Sequence, residues 1–174
     1  MNAEVAAAPS AEVSVERPKE SATTAPPWGQ SSTALLVGPS IFAGSYVSTT
    51  PGIVAGIQYR TAGAHAFVLG PRGGVHFPGK YTGTSAFGTL GLELGYRGNF
   101  LAPSETQAGL LATVTPSVGI GIGRSTALLV PFAVGGFLRF GALEFQLTVA
   151  AGMGLAPGGP GPFGAATLLG GYVF

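Results

Sequence analysis

The sequence predicts an all-β fold: an eight-stranded antiparallel up-and-down transmembrane β-barrel, carried behind a disordered N-terminal tail. Three observations point there. Residues 33–174 hold only three acids (Glu93, Glu105, Glu144) and six basic residues (Arg60, Arg72, Lys80, Arg97, Arg124, Arg139), and so sparse a charge suits a surface that does not face water. Apolar residues recur with period two over long stretches, as on a strand with two unlike faces. The large aromatic rings of alternate strands fall at one level, as at a membrane–water interface.

Composition narrows the class further. Charged residues are 9% of the chain against about 25% in ordinary globular proteins. A hydrophobic fraction of 46% and a mean hydropathy of +0.44 argue against disorder of the whole, and the 30 glycines keep no triplet period, which excludes collagen. With no cysteine there is no disulfide, thiolate metal site or Cys nucleophile. The six cations are scattered and form no nucleic-acid stripe. The opening MNAEVAAAPSAEV lacks a basic n-region and an apolar h-region, so it is no secretory signal. An exported precursor is expected to carry more sequence upstream.

The elements follow in order. Residues 1–32 read as a flexible Ala/Pro/Glu-rich tail, kept from helix by Pro9, Pro18, Pro26 and Pro27. Glu4, Glu12, Glu16 and Glu20 outnumber Arg17 and Lys19 there. The barrel occupies residues 33–174. Membrane helices are disfavoured: the uncharged run 145–174 is broken by APGGPGP at 156–162, leaving pieces shorter than the ~20 residues a span needs. Strands are expected at 34–47, 53–60, 66–77, 86–97, 110–122, 127–140, 143–155 and 163–174. In the fourth, Leu90, Leu92, Leu94 and Tyr96 make a bulky face against Thr89, Gly91, Glu93, Gly95 and Arg97; in the fifth, Leu110, Val114, Val118, Ile120 and Ile122 do so. Gly141-Ala142 suits a two-residue type II′ turn between the sixth and seventh, setting Phe140 opposite Leu143 and Arg139 opposite Glu144. Pro39, Pro71, Pro116 and Pro131 fall inside strands and predict bulges or breaks. One set of connections is expected at 48–52, 78–85, 123–126 and 156–162, with a longer loop at 98–109 on the opposite side.

Periodicity alone does not say which face is wet. A soluble all-β binding protein with the bulky face as core is one alternative. Its outer face would be mainly Gly, Ala and Thr, whereas a narrow barrel interior suits small and paired polar residues. Even-numbered strands all finish on the same side, at Tyr59, Tyr96, Phe140, and Tyr172 with Phe174, each on the bulky face. These form the expected aromatic girdle. Phe77 and Phe163 are expected near the opposite rim as a thinner second one.

With its even number of alternating strands, its girdle, and a last strand TLLGGYVF ending in Phe174, the chain resembles the small eight-stranded outer-membrane β-barrel proteins of Gram-negative bacteria. The resemblance implies a bacterial outer-membrane location, termini in the periplasm, the lipid bilayer as solvent, and recognition of Tyr172 and Phe174 by the barrel-assembly machinery as an assembly signal. It also motivates a search for lipid-modifying catalysis at the outer rim. His76 and Ser85 stand near that rim without an acid, and His65 lies at the other end, so no nucleophile and oriented base converge and no enzyme is predicted. Two separated His and three scattered Glu build no metal site, and no cofactor or nucleic acid is expected.

Inside the barrel, charges must be paired. The candidates are Arg72, Glu93, Arg97, Arg139 and Glu144, with an Arg72–Glu93 bridge expected from the register. Phe42, Phe87, Leu111, Leu129 and Phe137 are placed to fill the remaining space. The function expected is that of an integral, porin-like outer-membrane barrel, a monomer with a structural or interaction role and a largely filled lumen of polar residues and glycine. The alternative is a narrow pore for small solutes or ions.

Overall fold

The structure is a computed structural model and describes residues 30–45, 47–78, 86–101, 106–122 and 125–174. Its nine strand segments are β1 (Ser32–Gly44), β2 (Val47–Arg60), β3 (His65–His76), β4 (Phe87–Asn99), β5 (Thr106–Val114), β6 (Ser117–Ile122), β7 (Ser125–Phe140), β8 (Leu143–Ala156) and β9 (Gly159–Val173). β5 and β6 lie end to end between β4 and β7, so nine segments make eight staves. Each stave pairs antiparallel with its sequence neighbours, and β1 pairs with β9, Ala34 opposite Val173 and Leu36 opposite Gly171. The sheet is therefore a closed up-and-down barrel without an edge. Both described ends meet at one rim, where Phe174 N donates to Thr33 O at 2.8 Å.

Closure tolerates the prolines because each removes a donor from one ladder only. Pro39 is matched to Ile53 of β2, but the β1–β9 register skips from Val37 to Ser40. Pro71 keeps Leu92 of β4, while the β2–β3 register skips from Leu69 to Arg72. Pro131 keeps Gly152 of β8. On its other side it faces the interruption at Thr115-Pro116 between β5 and β6. There Thr115 N donates to Pro131 O and Leu92 N to Pro116 O, each at 3.1 Å. One complete break and three one-sided gaps thus replace the bulges or breaks expected at all four positions.

The connections at the far rim are tighter than the sequence suggested. Residues 48–52 belong to β2, with Pro51 matched to Ile41. The expected loop 156–162 shrinks to a turn at Pro157-Gly158, since Ala156 pairs with Gly159. At the near rim β4 runs to Asn99 and β5 starts at Thr106, shortening the 98–109 connection. The tail up to residue 29, residue 46 and parts of three loops (79–85, 102–105, 123–124) lie outside the described residues. Gly141 takes φ 58°, the left-handed value a type II′ turn needs at its first central position. It brings Phe140 onto Leu143 and Arg139 onto Glu144.

The faces sort as alternation dictates, and the bulky one points out. Leu90 is 66%, Phe132 58% and Leu147 58% exposed, whereas Glu93 is 1%, Arg97 3% and Glu144 0%. The alternative with the bulky face as core is overturned by this polarity. Phe163 is a second correction: it points inward and is 6% exposed, while Phe77 faces out. Parity explains it, because Leu168, Tyr172 and Phe174 face outward and Phe163 is odd-numbered on the same strand.

Candidate functional site

The interior is organised in levels. Near the terminus-side rim, β2 contributes Gln58 and Arg60, β4 Glu93 and Arg97, β8 Glu144 and Gln146, and β3 Arg72. Each is inward because its neighbours Tyr59, Leu92, Leu94, Tyr96, Leu143 and Phe145 are outward. Arg60 donates to Glu144 through Nη1 at 2.8 Å and Nη2 at 2.7 Å, and Arg97 Nη1 reaches the same carboxylate at 2.8 Å. Gln146 Nε2 donates to Glu144 at 2.8 Å and to Gln58 Oε1 at 2.9 Å. Gln58 Nε2 donates to Glu93 at 2.8 Å, and Arg72 Nη1 to Glu93 at 2.8 Å. One continuous polar chain therefore crosses the lumen from β3 and β4 through β2 to β8. β2 and β8 are not ladder neighbours, so these bonds tie separate walls together.

The sequence-predicted residues meet in part. Arg72 is matched to Gly91, diagonal to Glu93, and bridges it. Arg97 and Glu144 form an ion pair, and the Arg97 guanidinium lies 3.4 Å over the Phe137 ring, a cation–π contact. Arg139 stands opposite Glu144 in register, yet its Nε donates to Gly141 O at 2.7 Å. The carboxylate is taken by Arg60 and Arg97 instead. Arg60, Gln58 and Gln146 were missed. The alternation that turned Tyr59 outward was the signal that could have found Arg60 and Gln58.

At the far rim aromatic rings cluster inside the lumen. Phe42 stacks on Phe163 at 5.1 Å and meets Phe87 edge-on at 5.3 Å; His76 stacks on Phe87 at 4.6 Å. Val47, Ala127 and Leu129 complete this cluster. Between rings and polar chain lies a cavity of ≈ 90 Å³ bordered by Ser40, Thr89, Thr148 and Thr167. A second cavity of ≈ 200 Å³ opens at the terminus-side mouth. His76 is buried among rings, His65 contacts the Tyr96 hydroxyl on the outer surface, and Ser85 lies outside the described residues. Among the described residues no group of His, Cys, Asp or Glu could hold a metal.

Tyr59, Tyr96, Phe140, Tyr172 and Phe174 all sit roughly half-exposed or more on the outer face near the terminus-side ends of β2, β4, β7 and β9. Phe67, edge-on to Tyr96 at 6.3 Å, joins them from β3. Tyr172 and Phe174 pack together with centroids 5.0 Å apart.

No protein-family model and no curated protein sequence matches the chain. Among solved structures, the fold is similar to that of Neisserial surface protein A, with a TM-score of 0.65 and 10% identity over 82% of this chain and 95% of that one. Ail, the attachment invasion locus protein of Yersinia pestis, solved with the heparin analogue sucrose octasulfate, aligns with a TM-score of 0.45 and 11% identity over 83% of this chain and 99% of that one.

Proposed function

We propose that the chain is an integral outer-membrane β-barrel with a structural or interaction role, whose interior is occupied by its own side chains. The observation that carries the reading is the inverted polarity of the wall. Large apolar residues cover the outside while Arg60, Arg97, Glu93 and Glu144 are buried within, the arrangement lipid selects and water penalises. The level rings from Tyr59 to Phe174 act as interfacial anchors. Both described chain ends, which meet at one rim, face the periplasm, the terminal strand with Tyr172 and Phe174 serves as the signal for assembly, and the protein works as a monomer. A structural role over a pore is favoured by the ring cluster at one mouth and the cross-lumen chain at the other, since eight staves leave room for little more than side chains.

Fractionation tests the reading. The full-length protein should pellet with outer membranes, need detergent for extraction, and migrate anomalously on gels until boiled. Recovery in the aqueous phase would defeat it. Planar bilayers separate the two barrel roles: steady single-channel currents from the purified protein would overturn the structural one in favour of a narrow pore.

A further inference from the structure

We propose that the cavity at the terminus-side mouth binds a small oxyanion, a carboxylate or phosphate group. It encloses ≈ 200 Å³ between Arg60, Arg97, Arg139, Asn99 and Gln107, with Gln30 and Phe174 at its lip. Three guanidiniums meet there over one carboxylate. Glu144 takes two bonds from Arg60 and one from Arg97, which leaves this level with an excess of two positive charges. The deeper Arg72–Glu93 pair, by contrast, balances one to one. Arg139 is only partly buried at this open mouth, so the excess positive charge draws an anion in from the mouth.

A second observation points to where it binds. Arg60 is 3% exposed, and its Nε is buried without a hydrogen-bond partner. Among the described residues the only hydrogen-bond partner of the Arg139 guanidinium is the Gly141 carbonyl, through Nε. Each guanidinium carries five donors in a planar fork that fits two oxygens of a carboxylate or phosphate. Among the described residues, the cavity therefore offers donors and positive charge with no acidic side chain lining it.

Two sources can supply that chemistry. One is the chain itself, because the sequence holding Glu4, Glu12, Glu16 and Glu20 leads into the barrel at Gln30, and Glu105 immediately precedes Thr106 in sequence. The other is a free oxyanion from the surrounding compartment.

The test titrates inorganic phosphate, by calorimetry in phosphate-free buffer, into the full-length barrel folded in detergent. Three proteins are compared: wild type, Arg139→Gln, and a variant with Glu4, Glu12, Glu16, Glu20 and Glu105 all changed to Gln. Heat-modifiable migration is checked for each, so a failed fold is not mistaken for a failed site. Saturable binding that Arg139→Gln weakens about tenfold or more supports the proposal. If the Glu→Gln variant binds phosphate about tenfold tighter than wild type, the chain's own carboxylates fill the site; equal affinity assigns it to a free oxyanion. The proposal is overturned if neither wild type nor the Glu→Gln variant binds phosphate saturably, or if adding Arg139→Gln to whichever of the two binds leaves its affinity unchanged.

Discussion

Glu144→Gln tests the interior most directly, because so much of the polar chain converges on one carboxylate. Four donors reach it at 2.7–2.8 Å, two from Arg60, one from Arg97 and one from Gln146, and the side chain is fully buried. Glutamine keeps the volume but removes the charge and turns one acceptor into a donor. Two buried guanidiniums then lose their counter-ion, a change that costs about 3–5 kcal/mol. Glu93→Gln is the internal comparison. Glu93 accepts from Gln58 and from Arg72, and Arg72 is 12% exposed, so partial hydration blunts the loss to about 1–3 kcal/mol. The assay is urea unfolding of the barrel refolded into vesicles, followed by circular dichroism because the single Trp, Trp28, precedes the first strand in sequence. Salt should change the difference little, since buried pairs are poorly screened. If Glu144→Gln unfolds within about 0.5 kcal/mol of wild type, the cross-lumen bonds are not a stabilising element, and leaving two guanidiniums buried without a counter-ion does not carry the cost assigned to it.

Four further outcomes are expected. Leu92→Arg, on the outer face near the middle of β4, should cost about 2–4 kcal/mol in lipid vesicles; a neutral result would argue that this face does not meet hydrocarbon. Phe163→Ala removes a ring stacked on Phe42 and should cost about 3–5 kcal/mol, with any new conductance in planar bilayers localising the closure of the far mouth. Gly141→Ala meets no atom within 4 Å, so its cost of about 1–2 kcal/mol comes from the left-handed φ alone; an unchanged unfolding midpoint would contradict the turn assignment. Deleting Phe174 should lower membrane insertion in cells while the purified truncation refolds near normally, and equal insertion would make the ring one more lipid-facing side chain.

Much of the fold was legible because a strand has one bit of information per residue. Once Leu92 and Leu94 are outward, Glu93 must be inward, and the same parity places Arg97, Glu144 and the outer rings of Tyr59 to Tyr172. Gly141-Ala142 fixed the register of β7 on β8 through turn chemistry. Stave ends were less legible because Pro and Gly signal a turn and also occur in barrel strands. Pro51 and Pro160 sit in strands, and a two-residue turn at Pro157-Gly158 carries the same composition as a seven-residue loop. Phe163 points inward because strand parity, and not its position near a rim, sets the direction of its ring.

The partners of the interior charges were the least legible, for a geometric reason. Ladder register names the residue across the strand boundary, so it finds Arg72 near Glu93 and sets Arg139 against Glu144. It does not name the residue across the lumen. Arg60 reaches Glu144 from a stave that β1 and β9 separate from β8, a distance in sequence space that only closure at a given circumference makes short. In an eight-stave barrel the long guanidinium side chains can reach across to another wall, so the bridging pair displaces the neighbouring one. Arg139, the ladder neighbour left outside that arrangement, is thereby turned toward the mouth, and the charge excess there is a direct consequence of how narrow the barrel is.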